Sequence, residues 1–134
     1  MPIAAHPGLY DPDDDRPVLL GVRCDACGAV SFPPFGIGCQ VCGARADALV
    51  AEPLEASGVL HSVATVHLHG GSDVTAPFTM AEIQLDGGPL IRATLTEVAD
   101  PSAIGRRVAG RWVTTGTNDD GDEIVEPRFD VVDV

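Results

Sequence analysis

No lysine occurs anywhere in this 134-residue chain. Its eight basic residues are all arginine and face twenty aspartates and glutamates, for a formal charge of −12. A surface this acidic repels phosphate backbones and anionic membranes, which argues against nucleic acid or membrane as a partner. Aromatic residues are scarce too, at 4%, with one Trp (Trp112) and one Tyr (Tyr10). Platforms for stacking single-stranded bases are therefore few, and a single-stranded nucleic-acid or other ligand-binding module stands only as the alternative reading. No apolar run reaches spanning length, and residues 1–10 have neither the basic start nor the apolar stretch of a signal peptide. A soluble, cytoplasmic protein is the expectation. No Ser stands in a G-x-S-x-G setting, and no cysteine is left over as a nucleophile.

All the cysteine sits in two hooks, Cys24-Asp25-Ala26-Cys27-Gly28 and Cys39-Gln40-Val41-Cys42-Gly43, with eleven residues between Cys27 and Cys39. A C-x2-C turn aims two thiolates at one point, and the following Gly accepts the positive φ of a tight turn. Two such hooks predict a four-thiolate tetrahedral site holding one structural zinc ion, with iron as the minority alternative. Paired disulfides are the competing reading, and a chain without secretory features disfavours them. With four protein ligands no coordination position stays open for substrate, so Cys24, Cys27, Cys39 and Cys42 are read as structural rather than catalytic.

The chain divides into an extended N-terminal arm (1–17), a zinc ribbon (18–50) and a barrel (51–134). Pro2, Pro7, Pro12 and Pro17, with the acidic run Asp13-Asp14-Asp15, exclude a helix from the arm, which is expected to be disordered on its own, with packing along a partner as the alternative. Strands are predicted over 18–23 and 29–32, flanking the first hook, with a Gly- and Pro-rich loop through Phe35 to Gly38. Five strands follow: 57–69, 78–85, 90–98, 107–115, and one from Glu123 broken by Pro127. Asp86-Gly87-Gly88 and Asn118-Asp119-Asp120-Gly121 mark turns. A mainly β protein follows, with a rubredoxin-like ribbon and then a five-stranded OB-fold Greek-key barrel.

These motifs in this order resemble a known family. They are Leu20-Gly21-Val22-Arg23-Cys24, Phe32-Pro33-Pro34, Cys39-x-x-Cys42-Gly43, the strand from Ser57 to His67, and Pro77-Phe78 leading to Leu85-Asp86-Gly87-Gly88. The chain is similar to the acyl-CoA-associated zinc-ribbon/OB-fold family, the "domain of unknown function 35". The resemblance implies a non-catalytic subunit that accompanies a thiolase-like or sterol-carrier-type thiolase homologue and supports its stability and acyl-CoA site. It further implies a carbon–carbon lyase or thiolase complex, of which retro-aldol cleavage of a steroid-type β-hydroxyacyl-CoA is the favoured case. Since thiolase-like enzymes are commonly dimers, a heterotetramer is expected.

Outside the hooks, Arg106, Arg107 and Arg111 cluster in an acidic chain. Guanidinium forks suit phosphates, so acyl-CoA is one candidate partner; ion pairs with the chain's own carboxylates are the other. The apolar elements Phe32-Pro33-Pro34-Phe35 and Val131-Val132 are candidate docking surfaces or core. His67 and His69 share a strand face at i, i+2 but lack an evident third metal ligand. Glu82 and Asp86 are either a carboxylate pair or a solvated strand face.

Overall fold

The computed structural model describes residues 2–68 and 76–132. The second hook is followed by a 3₁₀ turn, and the ribbon is a three-stranded sheet separate from that of the barrel. Its central strand, β2 (Val18–Cys24), pairs with β3 (Val30–Ser31) on one side and β4 (Leu49–Glu55) on the other. Pro53, which has no N–H to donate, lies in β4 at the edge of this sheet. The residue-by-residue pairing of β4 with β2 runs from Leu49 to Glu55, so the ribbon sheet continues past residue 50.

Only Ala56 separates β4 from β5 (Ser57–Val66), the first strand of the barrel. Four strands follow: β6 (Phe78–Leu85), β7 (Leu90–Thr94), β8 (Arg107–Thr117) and β9 (Glu123–Val132). Their order in the sheet is β9-β8-β5-β6-β7. The sheet closes where Leu95, just beyond β7, bridges Phe129 in parallel and the Thr96 N–H donates to the Phe129 carbonyl at 2.9 Å. That closed order is the five-stranded Greek-key barrel expected from the turn spacing. β5 serves two neighbours because a register shift between Leu60 and Ser62 bends it: residues 57–59 pair with β8, and β6 takes the full length. Gly58 permits the crowding there, since a Cβ at this position would collide with the Gln84 carbonyl oxygen.

The core is one cluster centred on Leu60, Ile83, Leu85, Val108 and Phe129, each exposed by 2% or less. Buried Thr79 satisfies its hydroxyl locally: it accepts from the Ala99 N–H at 3.0 Å and donates to the Ala99 carbonyl. Leu19 and Leu54 carry the inner end of the ribbon sheet into the same cluster.

Several expectations differ from the structure, among them two strand ends: β5 stops at Val66 and β7 at Thr94, short of 69 and 98. The arm is not free of the body. β1 (Ile3–Ala4) pairs in parallel with β9, and Tyr10 is buried with its hydroxyl donating to the Val125 carbonyl at 3.2 Å. The Tyr10 ring lies 5.4 Å from that of Trp112, whose indole N–H donates to the Asp14 carbonyl at 2.8 Å. The chain's one Tyr and one Trp thus strap the arm down, which proline content does not oppose because an extended strap needs no helix. Pro127 does not break β9 either. It pairs opposite Trp112 and lies beyond Val125, where the pairing of β1 with β9 ends. The turn through Gly70–Asp73 lies outside the described residues. No helix among the described residues is long and apolar enough to cross a membrane.

Candidate functional site

The two hooks fold alike, because each repeats the same C-x-x-C-G sequence. In the first, the Gly28 N–H donates to the Cys24 carbonyl at 2.7 Å and the Cys24 N–H to the Ala29 carbonyl at 2.9 Å. In the second, the Gly43 N–H donates to the Cys39 carbonyl at 3.0 Å and the Cys39 N–H to the Ala44 carbonyl at 2.9 Å. Gly28 and Gly43 both adopt positive φ, +80° and +78°, which a side chain would strain. β2 delivers Cys24, and the Asp25 N–H donates to the Ala48 carbonyl at 2.9 Å, fixing the first hook against the 3₁₀ turn that follows the second.

The four sulfurs converge to within 4.8 Å of one another. Cys24 and Cys42 stand 3.7 Å apart, Cys27 and Cys39 3.6 Å. A tetrahedral ion with Zn–S bonds near 2.3 Å places its ligand sulfurs about 3.8 Å from each other, so the donor set fits one zinc ion. A disulfide would need about 2.05 Å, and all four cysteines are free. The N–H groups of Cys42 and Val41 point at the Cys39 Sγ from 3.5 and 3.4 Å and hold its thiol down to about 6. Donors aimed at sulfur favour the thiolate, which is the form that binds metal.

The arginines do not form one site. Arg107 grips Asp86 with both terminal nitrogens, at 2.8 and 2.6 Å, and reaches the Ser57 hydroxyl at 3.0 Å. That guanidinium holds the Asp86 carboxyl below its ordinary range. Arg111 Nε is 3.1 Å from both Asp130 oxygens, and Asp130 also accepts from the Thr96 hydroxyl at 2.6 Å. Arg106 lines a cavity of about 530 Å³ between the 95–103 segment and β9, with Asp130 on its wall. Glu82 and Asp86 are separate as well: Glu82 accepts from the Ser62 hydroxyl at 2.8 Å, while Asp86 belongs to Arg107.

The apolar candidates split. Phe32 packs against the core, whereas Pro33, Pro34 and Phe35 are exposed. Ile37 and Val41, which the hydrophobic pattern did not single out, are 80% and 73% exposed in the same region of the ribbon. A signal for them was present: residues 26–44 contain no Asp, Glu, Lys, Arg or His, in a chain of net charge −12. Val131 packs on the core and Val132 is exposed. His67 is exposed beyond the end of β5, and His69 lies outside the described residues.

A ribbon closed by four thiols, run directly into an OB barrel, defines a mainly β zinc-ribbon/OB-fold protein. Residues 14–48 match the family described as the ChsH2 rubredoxin-like zinc ribbon domain, and residues 51–113 the ChsH2 C-terminal OB-fold domain. The chain belongs to this ChsH2-type, or domain of unknown function 35, family. Among solved structures it is similar to a chain of the "Ltp2-ChsH2(DUF35) aldolase", with 23% identity over 84% of each chain and a TM-score of 0.64. At that identity the likeness establishes the fold. No curated protein matches the sequence.

Proposed function

We propose that this chain is a non-catalytic accessory subunit of an acyl-CoA aldolase complex. It docks on a thiolase-like, sterol-carrier-type partner, supports that partner's stability and completes its acyl-CoA site. The partner carries out the carbon–carbon chemistry, retro-aldol cleavage of a steroid-type β-hydroxyacyl-CoA, in a cytoplasmic heterotetramer with two copies of each chain. The observation that carries this reading is the ordered match of ribbon and barrel to the two ChsH2 domains, together with the likeness to a chain of a solved Ltp2–ChsH2 aldolase. The chemistry of the candidate residues agrees. The four thiols are committed to metal, and Glu82 and Asp86 are held by different partners.

The exposed, charge-free face of the ribbon, at Pro33, Pro34, Phe35, Ile37 and Val41, is the docking surface in this reading. An apolar face without charge buries against a partner at little desolvation cost. The −12 charge works against the same face meeting a second copy. For CoA, Arg106 is the guanidinium that borders the 530 Å³ cavity, whereas Arg107 and Arg111 are engaged by Asp86 and Asp130, of which Asp130 lines the same cavity.

Native mass spectrometry of the tagged chain, purified from its own host at low salt, tests the proposal. A zinc-bearing complex with a thiolase-like subunit is expected, and the double substitution Phe35→Asp, Ile37→Asp should release that subunit while zinc stays bound. A lone zinc-bearing monomer from the unsubstituted chain overturns it.

A further inference from the structure

Where arm, ribbon and barrel meet, the chain forms a slot of about 380 Å³ that the accessory role does not use. This volume lies in the range of small-molecule sites, roughly 300–1,000 Å³. The slot is lined by Leu19 of β2, Ile91 of β7 and Phe129 of β9, all buried, and by Tyr10 on the arm side. The polar atom that Tyr10 brings is already satisfied, since its hydroxyl donates to the Val125 carbonyl and accepts from the His6 N–H at 3.1 Å. An apolar body therefore fits here without stranding a polar group, and a water would find few partners.

The rim is different. Arg92 of β7 projects there with its side chain 80% exposed, and its ion pair with Glu82 is a loose 3.8 Å. Glu126, a mostly buried carboxylate that also lines the slot, is answered by Arg128 at 3.1 Å, which offsets its repulsion of an anion. Arg92 and Met80 also line a shallower groove of about 210 Å³ along β5 and β6, so the slot runs on past the guanidinium. The geometry points to a binding site for an elongated apolar monocarboxylate, such as a fatty acid or a similarly shaped acid. Its apolar body lies in the slot and its carboxylate sits on Arg92. The net charge of −12 offers an anion no long-range attraction, so the contact that selects the acid must be this local guanidinium.

Titration of the zinc-loaded full chain with decanoate, below its micelle concentration, tests this by calorimetry and by Trp112 fluorescence. Trp112 is the one indole, and its ring meets, at a tilt of 56°, the ring of Tyr10, which lines the slot. Saturable one-site binding is expected, with decanol bound roughly tenfold more weakly, the loss of one charge-assisted contact. Arg92→Gln, a change at an exposed side chain, should weaken decanoate by a similar factor and leave decanol unchanged. Absence of saturable decanoate binding overturns the proposal. So does decanoate binding that is indifferent to Arg92, or an equal loss for both amphiphiles. No partner subunit is needed, so the result is independent of the accessory-subunit reading.

Discussion

In the barrel, Leu60, Ile83, Leu85, Val108 and Phe129 are sealed from solvent; in the ribbon beyond Cys24, Phe35, Ile37 and Val41 are exposed by 38%, 80% and 73%. The two regions are both short strands and tight turns, yet they are held by different forces. The barrel closes on itself and hides its apolar faces, so burial stabilises it. The segment from residue 25 to 45 is too small to do this, and the convergence of four sulfurs replaces the missing core. That substitution has a consequence for function. A fold held by metal can leave its apolar side chains on the surface, where a partner can reach them.

The largest expected effect breaks the metal side of this contrast. Removing zinc with a chelator, or Cys39→Ala, should cost on the order of 10 kcal/mol locally. Hydrogen exchange should show amides of residues 24–45 losing protection while β5 to β9 keep theirs. Loss of protection throughout would mean that the barrel depends on the ribbon. The second effect attacks the barrel. Phe129→Ala removes the largest fully buried side chain, at the closure of β9 on Leu95, and should cost about 3–5 kcal/mol in denaturant unfolding. A Phe35→Ala control on the ribbon should leave that midpoint unchanged.

The smallest effect concerns pH. The Arg107 hydrogen bonds depress the Asp86 carboxyl below 3.8 and raise the Arg107 guanidinium. A carboxyl with a depressed folded value contributes stability that is fully present above its unfolded value of 3.8. That contribution is lost as pH falls from there through the folded value. Arg107→Gln should therefore narrow the gap between stability at neutral pH and in acid. Both groups are half-exposed, so the change is small, and subtracting the variant's acid profile from that of the parent chain isolates it from protonation of the metal thiolates.

The metal centre was legible in the sequence because its chemistry is local. C-x-x-C-G dictates its own turn, and two copies suffice to place four sulfurs. The barrel strands were legible for a related reason, since alternation and the turns at Asp86–Gly88 and Asn118–Gly121 are written over short windows. Pro127 misled the reading because the penalty on proline depends on whether a neighbouring strand requires its N–H, and that is a property of the sheet. The arm misled it for the same kind of reason: Tyr10, Asp14 and Trp112 find one another across about a hundred positions, and no local pattern announces such contacts.

Composition and spacing by themselves thus determined that this chain binds a metal through four cysteines and builds an OB barrel behind the ribbon. Both are announced by patterns written over short windows, the hooks for the metal and the alternating strands and turns for the barrel. Which arginines are paired, which apolar residues face solvent, and that arm, ribbon and barrel share a slot were decided only by tertiary structure. Those features depend on which surfaces meet as the chain folds, and folding joins residues as distant as Tyr10 and Val125.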